Sequence, residues 1–487
     1  MDTAQTAVAV SYWPLAVLAV SVAFVVVGIA VLRFHAFIVL MLAAILVGVL
    51  SPRLPGVPPA NALVQAVELP MTEFGVAAGR IAFIILLASI IGMCMLESGA
   101  ADSVVRRILA VLGQKRAALA LLASGFFLSI PVFFDTVFFL LVPLARAFAL
   151  RTGKDYMLYV MAICGGGVLT HSLVAPTPGP LLVAEALRPA GVDLGVSMIA
   201  GLVAGLLPAA GVLYLNRWLN RRVPVPMRDI PGASLADLRA IVNRSDAELP
   251  AFGLSVLPVV LPVVLIASTS FFGMASQSLP GVVSALGGPE AFARLQYWID
   301  FVGNRNVAML IGTAIALVLL ARQKQMSVRE VGDAMGPPLE MAGVIILITA
   351  AGGAFGAMIR HSGVGDVIAA LASGHGVNLV LLAWSVTAVI RLAQGSATVA
   401  MVTGVGLMAA IIGDGSALPF HPVYVFLAIG FGSMIGSWMN DSGFWVVGKL
   451  SGFTERETLM TWTVLTTFVS VVGLIEVLIA SSVIPLR

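Results

Sequence analysis

"AALALLASGFFLSIPVFFDTVFFLLVPLAR", residues 117–146, is too long to cross a bilayer once and too short to cross it twice. One helical crossing takes about 20 apolar residues at a rise of about 1.5 Å each. Pro131 and Asp135 interrupt the run near its middle. Arg106, Arg107, Lys115 and Arg116 precede it, and Arg146, Arg151 and Lys154 follow. Basic clusters of this kind collect on the cytoplasmic side, so the segment is expected to enter and leave on one face. Non-helical backbone at membrane depth is tolerated only against protein or a wet cavity. The run therefore reads as a re-entrant helical hairpin. The 377–411 run is marginal for the same reason and breaks at Arg391 to Ser396, which makes it a second hairpin.

Working outward, the whole 487-residue chain belongs in lipid. It is 60% hydrophobic and only 10% charged, with a mean hydropathy of +1.05, and a water-facing surface needs far more charge. The net charge of +3 is scattered in short loop clusters, so no nucleic-acid face is expected. Cys94 and Cys164 sit far apart in apolar stretches and read as small core residues, with neither a disulfide nor a metal site implied. The first run, Pro14 to Leu32, is long enough to span and reads as a retained membrane helix.

Further apolar runs fall at about 34–50, 75–97, 156–187, 194–216, 251–273, 307–321, 339–360, 419–448 and 458–480. Basic loops around Arg217 to Arg244, Arg322 to Arg329 and Lys449 to Arg456 alternate with the sparsely basic 51–74 and 274–306 loops. One topology satisfies them all: N-terminus out, ten spans, and two hairpins entering from opposite sides.

The halves also resemble each other. "LLASGFFLSIPVFFDT" (121–136) parallels "LLAWSVTAVIRLAQGS" (381–396), and "YVMAICGGGVLTHSLVAPTPGP" (159–180) parallels "YVFLAIGFGSMIGSWMNDSGFW" (424–445). Five spans per half is an odd number, so the second copy is inverted. The fold class expected is an all-α polytopic membrane protein of two inverted repeats. Repeat 1 covers 12–216, with a hairpin at 117–146 and a broken helix at 156–187. A cytoplasmic loop covers 217–250. Repeat 2 covers 251–483, with a hairpin at 377–411 and a broken helix at 419–448. Such repeats place a substrate site where broken helices meet at the midplane.

Four breaks hold the polar chemistry. In "SIPVFFDT" (129–136), Asp135 is an ionisable group at membrane depth and by default functional. The competing reading is a carboxylate that only bonds free amides at the hairpin tip. In "GGGVLTHSLVAPTPGP" (165–180), Pro176, Pro178 and Pro180 cannot continue a helix, and freed backbone near Thr177, Pro178 and Gly179 is available to a ligand. His171, one to two turns earlier, reads either as a packing residue or as a coupling group. The glycine run there follows no strand and lacks the phosphate-loop lysine. In "RLAQGSATVA" (391–400), the always-charged fork of Arg391 suits bidentate carboxylate recognition. Gln394, Gly395, Ser396 and Thr398 surround it with donors and acceptors fit for a polyol. The alternative makes Arg391 a structural partner of Asp135 or Asp441. In "SWMNDSGFW" (437–445), Asn440, Asp441 and Ser442 lie within an apolar segment, while Trp438 and Trp445 read as packing or interface anchors. Glu97 and His361 end matched helices and read as boundary residues.

"IPVFFD", "PTPGP", "RLAQGSATVA" and "NDSGFW", in that order, resemble the gluconate permease family, which includes D-serine and other sugar-acid permeases. The resemblance covers nearly the whole chain. It implies proton-coupled uptake across the bacterial inner membrane, with no cofactor besides the proton. It also implies a fixed scaffold domain, a moving transport domain and a homodimer. On this view Arg391, helped by Ser396, Thr398 and the Thr177–Gly179 backbone, holds the carboxylate of gluconate or a related hydroxy acid. Asp135, Asn440 and Asp441 meet hydroxyls, and one of the two aspartates carries the proton. D-serine is the alternative substrate. An intramembrane enzyme is the rival class, but neither a His-Glu-x-x-His nor a Gly-x-Ser-x-Gly motif occurs.

Overall fold

The computed structural model describes residues 12–486 except 33, 52–60, 224, 229–247, 279–287, 365–366, 368–377, 417 and 440. Arg53, Arg239, Arg244 and Asn440, and the side chain of Gln394, thus lie outside the described residues. Among the described residues the chain is helical throughout, with no strand.

The first membrane layer comprises α1 (Trp13–Val26), which runs on into a π-helical turn at Val27–Val31, α2 (Ala36–Leu50) and α3 (Ala62–Glu97). At about 1.5 Å per residue, the 36 residues of α3 reach about 54 Å, well beyond a hydrocarbon core of about 30 Å. The apolar pattern marks only its second part. Gln65, Glu68, Pro70 and Glu73 disguise the rest, although Ala, Leu, Met and Glu are all good helix formers. α4 (Ala100–Leu112) carries the first basic residues ahead of the hairpin; it buries Ala100, Ala101, Val104 and Val105 and turns Arg107 outward.

The 117–146 run resolves into α5 (Ala117–Leu128) and α6 (Phe134–Thr152), separated by Ser129 to Phe133. The next run splits into α7 (Tyr156–Leu173) and α8 (Pro178–Leu187), where the prolines fall, and α9 (Leu194–Arg222) follows. Every residue of α7 except Leu158 and His171 is buried, as expected of a helix apolar on all sides. It approaches α5 through glycine: a Cβ on Gly166 would strike the Leu122 carbonyl and the Phe126 amide, and one on Gly125 the Ile163 carbonyl.

The second half runs through α10 (Phe252–Ser278), α11 (Pro289–Val302), α12 (Arg305–Lys324), α13 (Val328–Ala334) and α14 (Gly336–His361). α11 is a helix in a segment read as an outer loop. The 377–411 run gives α15 (Leu379–Gln394) and α16 (Ala397–Ile412). The last broken segment gives α17 (Val423–Gly432) and α18 (Ser442–Ser451). A turn at Glu455–Thr458 and a π-helical stretch at Leu459–Thr463 then lead into α19 (Val464–Val483).

Hairpins and broken helices interlock crosswise. α5 lies along α7 and α15 along α17, while α8 packs on α16 and α18 on α6. The unwound ends of each half are thus brought against the hairpin of the other. Outside this centre, Leu206, Leu207 and Tyr214 on α9 and Val264 on α10 are bare, as lipid-facing side chains are. His361 is no simple boundary residue: its Nε2 is 3.0 Å from Glu73 Oε1, joining α14 to α3. Arg305 likewise pairs with Glu185, joining α12 to α8.

Candidate functional site

The four breaks meet at one cavity of about 480 Å³. Phe133, Phe134, Asp135 and Thr136 reach it from the start of α6, Pro178 from the start of α8, Ser396, Ala397 and Thr398 from the start of α16, and Asp441, Ser442 and Gly443 from the start of α18. All four are helix N-termini. Each carries roughly half a positive charge from its aligned peptide dipoles, so together they favour an anion.

The local causes are legible at each break. Pro131 and the extended Phe133 stop α5 from continuing into α6. Gly395, at φ 86°, makes the sharp turn from α15 into α16, and its N–H bonds the Arg391 carbonyl at 2.9 Å. Ser396 caps α16 by accepting from Val399 N at 3.3 Å. Asp441 caps α18 by accepting from Gly443 N at 3.1 Å. Gly395→Ala would force a side chain into left-handed backbone, at a cost of about 1–2 kcal/mol. The thermal melting temperature in detergent should fall accordingly, and an unchanged melt would show that the turn is not constrained as described.

Among the described residues, the one full cation on the wall is Arg391, only 4% exposed. Its Nη2 donates to Asp441 Oδ2 at 2.5 Å. Its Nε and Nη1 are buried and have no hydrogen-bond partner among the described residues. The ion-pair reading of Arg391 is therefore correct for Asp441 and not for Asp135, yet it uses only part of the fork. Buried unpaired donors cost about 1–3 kcal/mol each. His171 Nδ1 and Ser172 Oγ are buried and unpaired too, on residues lining the same cavity. Such a set can receive a small acceptor-rich solute with one carboxylate end and several hydroxyls.

Sequence-predicted residues divide cleanly. Arg391, Ser396, Thr398, Pro178, Ser442, Asp135, Asp441 and His171 line the cavity. Thr177 does not: it is buried, and its hydroxyl is spent on the Val174 carbonyl at 2.6 Å. Gly179 instead lets α8 approach α16, since a Cβ there would collide with the Met401 methyl. Gly395 acts through its turn. Trp438 and Trp445 lash the last break together, donating to the carbonyls of Leu392 (3.1 Å) and Met439 (2.8 Å). Thr136, Met341, Ile345 and Trp462 also line the site and were missed. The threonines at 458, 461, 463, 466 and 467 in an otherwise apolar span were the available signal for Trp462. A second cavity of about 210 Å³ adjoins the first, sharing Phe133, Thr136 and Met341, and runs past Leu96, Glu97, Pro337 and Pro338.

The sequence profile described as GntP family permease matches residues 13–483. A gluconate permease of Pseudomonas aeruginosa is 33% identical over 93% of this chain and 94% of its own. The Gnt-II system L-idonate transporter of Escherichia coli is 29% identical, across 96% of this chain and 99% of its own. Among solved structures, MtrF of Neisseria gonorrhoeae, from a class of antimetabolite efflux pumps, matches with a TM-score of 0.66 at 15% identity. It covers 95% of this chain and 98% of that one. At that identity the likeness speaks to the fold alone.

Proposed function

The chain belongs to the GntP permease family, and from that premise we propose that it takes up a short sugar acid of the gluconate class together with protons across the bacterial inner membrane. As a permease it is an integral, multi-pass membrane transporter and not an enzyme. The observation that carries the substrate class is the convergence of four helix N-termini on Arg391, whose Nε and Nη1 are unpartnered. A carboxylate placed there would accept from one of these free donors, with the second Nη2 hydrogen available beside it to complete a planar fork. Its polyol chain would lie toward Asp135, Thr398, Ser442 and Ser172. Relatives named for gluconate and L-idonate agree with that chemistry.

The crosswise packing supports reading 12–216 and 251–483 as inverted repeats that rock against each other around this site. With the basic loops inside, Leu96 and Pro338 put the adjoining cavity on the cytoplasmic side of the site, which supports reading this as the releasing conformation. Proteoliposomes with an imposed inward proton gradient test the proposal. Labelled gluconate should accumulate, unlabelled gluconate and L-idonate should compete, and D-serine should not. Passive flux indifferent to the gradient, or competition by D-serine alone, would reject it.

A further inference from the structure

Asp441 is surrounded by donors. Its Oδ2 accepts from Arg391 Nη2 at 2.5 Å and from Ser437 Oγ, and its Oδ1 accepts from the Gly443 amide at 3.1 Å. The Ser437 hydroxyl lies 2.6 Å from Trp462 Nε1. An indole N–H can only donate. Ser437 Oγ therefore accepts from Trp462 and must send its own proton to Asp441. The chain of bonds runs one way, and a proton added to Asp441 would turn an acceptor into a donor facing other donors. Ser437 is fixed further, because its carbonyl accepts from Thr463 Oγ1 at 2.5 Å and its amide donates to Thr466 Oγ1 at 3.3 Å.

Asp135 stands in the opposite condition. It is the second residue of α6, exposed on the cavity wall, with no hydrogen-bond or ion-pair partner among the described residues. Facing it are His171 from α7, Asp441 from α18 and Arg391 from α15, with Glu97 of α3 in the adjoining cavity. α5, which also packs on α6, has no titratable side chain. Arg146 on α6, Tyr156, Tyr159 and Cys164 on α7, and Lys449 on α18 lie about two or more turns along their helices. Trp462 connects the two aspartates physically: its ring stacks on Phe134, the neighbour of Asp135, at 5.3 Å and 24°.

We propose that Asp135 alone carries the coupled proton, and that Trp462, acting through Ser437, is a positioning residue that holds Asp441 as the fixed acceptor clamping Arg391. The assignment rests on the sugar-acid reading above. Since Asp441 already neutralises Arg391, an incoming carboxylate meets an ionised Asp135 as a second, like charge and repels it. A proton moving from water to the Asp135 carboxylate removes that repulsion. Proton and anion then bind cooperatively, and by linkage each raises the other's affinity by the same factor. On release the proton returns to water with the substrate.

Calorimetric titration of the purified transporter with gluconate, in two buffers of different ionisation enthalpy, counts protons taken up per anion near neutral pH. Wild type should take up about one proton, and Asp135→Asn none, with an affinity that no longer varies with pH. Trp462→Phe keeps the ring and loses the donor. It should weaken binding roughly fivefold to tenfold and add a second step to the pH profile, as Ser437→Ala also should; a single unaltered step in both would remove the positioning role. An undiminished proton count in Asp135→Asn, or its loss in His171→Gln, overturns the proton assignment. Infrared titration of the carboxyl band needs no substrate. A protonated band lost in Asp135→Asn but kept in Asp441→Asn supports the assignment even if gluconate fails to bind, and the reverse pattern sinks it. Absence of gluconate binding by wild type overturns the substrate reading separately.

Discussion

Arg391→Ala is expected to abolish saturable uptake. Among the described residues the side chain supplies the only full positive charge on the cavity wall, and its two unpartnered donors have no substitute among the neighbouring side chains. Losing one partner of a buried, hydrogen-bonded charge pair costs about 2–5 kcal/mol, or about thirtyfold to several thousandfold in affinity. The same change strands Asp441, only 8% exposed, with Ser437 and Gly443 as its remaining donors. Breaking a buried pair in this way destabilises by about 3–5 kcal/mol. The two effects separate experimentally. Adding Asp441→Asn removes the stranded charge and should recover much of the thermal stability while leaving uptake absent. Arg391→Lys keeps the charge but not the planar fork and should transport weakly. Normal uptake by a folded Arg391→Ala protein would end the case for this residue as the carboxylate anchor.

Gly166→Val should be equally damaging, for a reason remote from charge. The glycine sits where α7 crosses α5, and a Cβ there meets backbone atoms of Leu122 and Phe126 that no rotamer change can move. Overpacking that flexible side chains absorb costs about 1–3 kcal/mol; here α5 itself must shift. That movement would carry the Ser129–Phe133 break with it and open the site at Asp135. The expected result is little monodisperse protein after detergent extraction, with Gly166→Ala intermediate. Gly343 on α14 is the control, because nothing lies within 4 Å of its would-be Cβ, so Gly343→Val should behave as wild type. Equal recovery of both variants would show that the α5–α7 contact is looser than described.

What the chain disclosed in advance follows from how local each cause is. Pro131, the prolines at 176, 178 and 180, and the Gly395–Ser396 turn act within a few residues, so the breaks could be placed from sequence. The unsuitable length of 117–146 needed only the thickness of a bilayer. The start of α3 was hidden because Glu68 and Glu73 interrupt the apolar pattern without interrupting the helix. α4 and α11 were hidden for a related reason, being too polar to register as apolar runs. The partner of Arg391 could not be chosen, since Asp135 and Asp441 were equally plausible until the hairpins were set against the broken helices. The link from Trp462 to Ser437 joins residues that share no motif. That the Thr177 hydroxyl turns back onto its own loop is a choice of rotamer that spacing does not encode.

The solitary state of the Asp135 carboxylate bears on the energetics of the cell. A carrier that takes one proton for each monoanion moves no net charge across the membrane. Voltage then does no work on the loaded form, however steep the potential. Accumulation is set by the pH difference alone, at about tenfold for each unit, since one unit corresponds to about 1.4 kcal/mol. If Asp135 carries one proton per anion as proposed, a bacterium relying on this protein would feed best in acidic surroundings and would lose the ability to concentrate its substrate as the medium turned alkaline, even while fully energised.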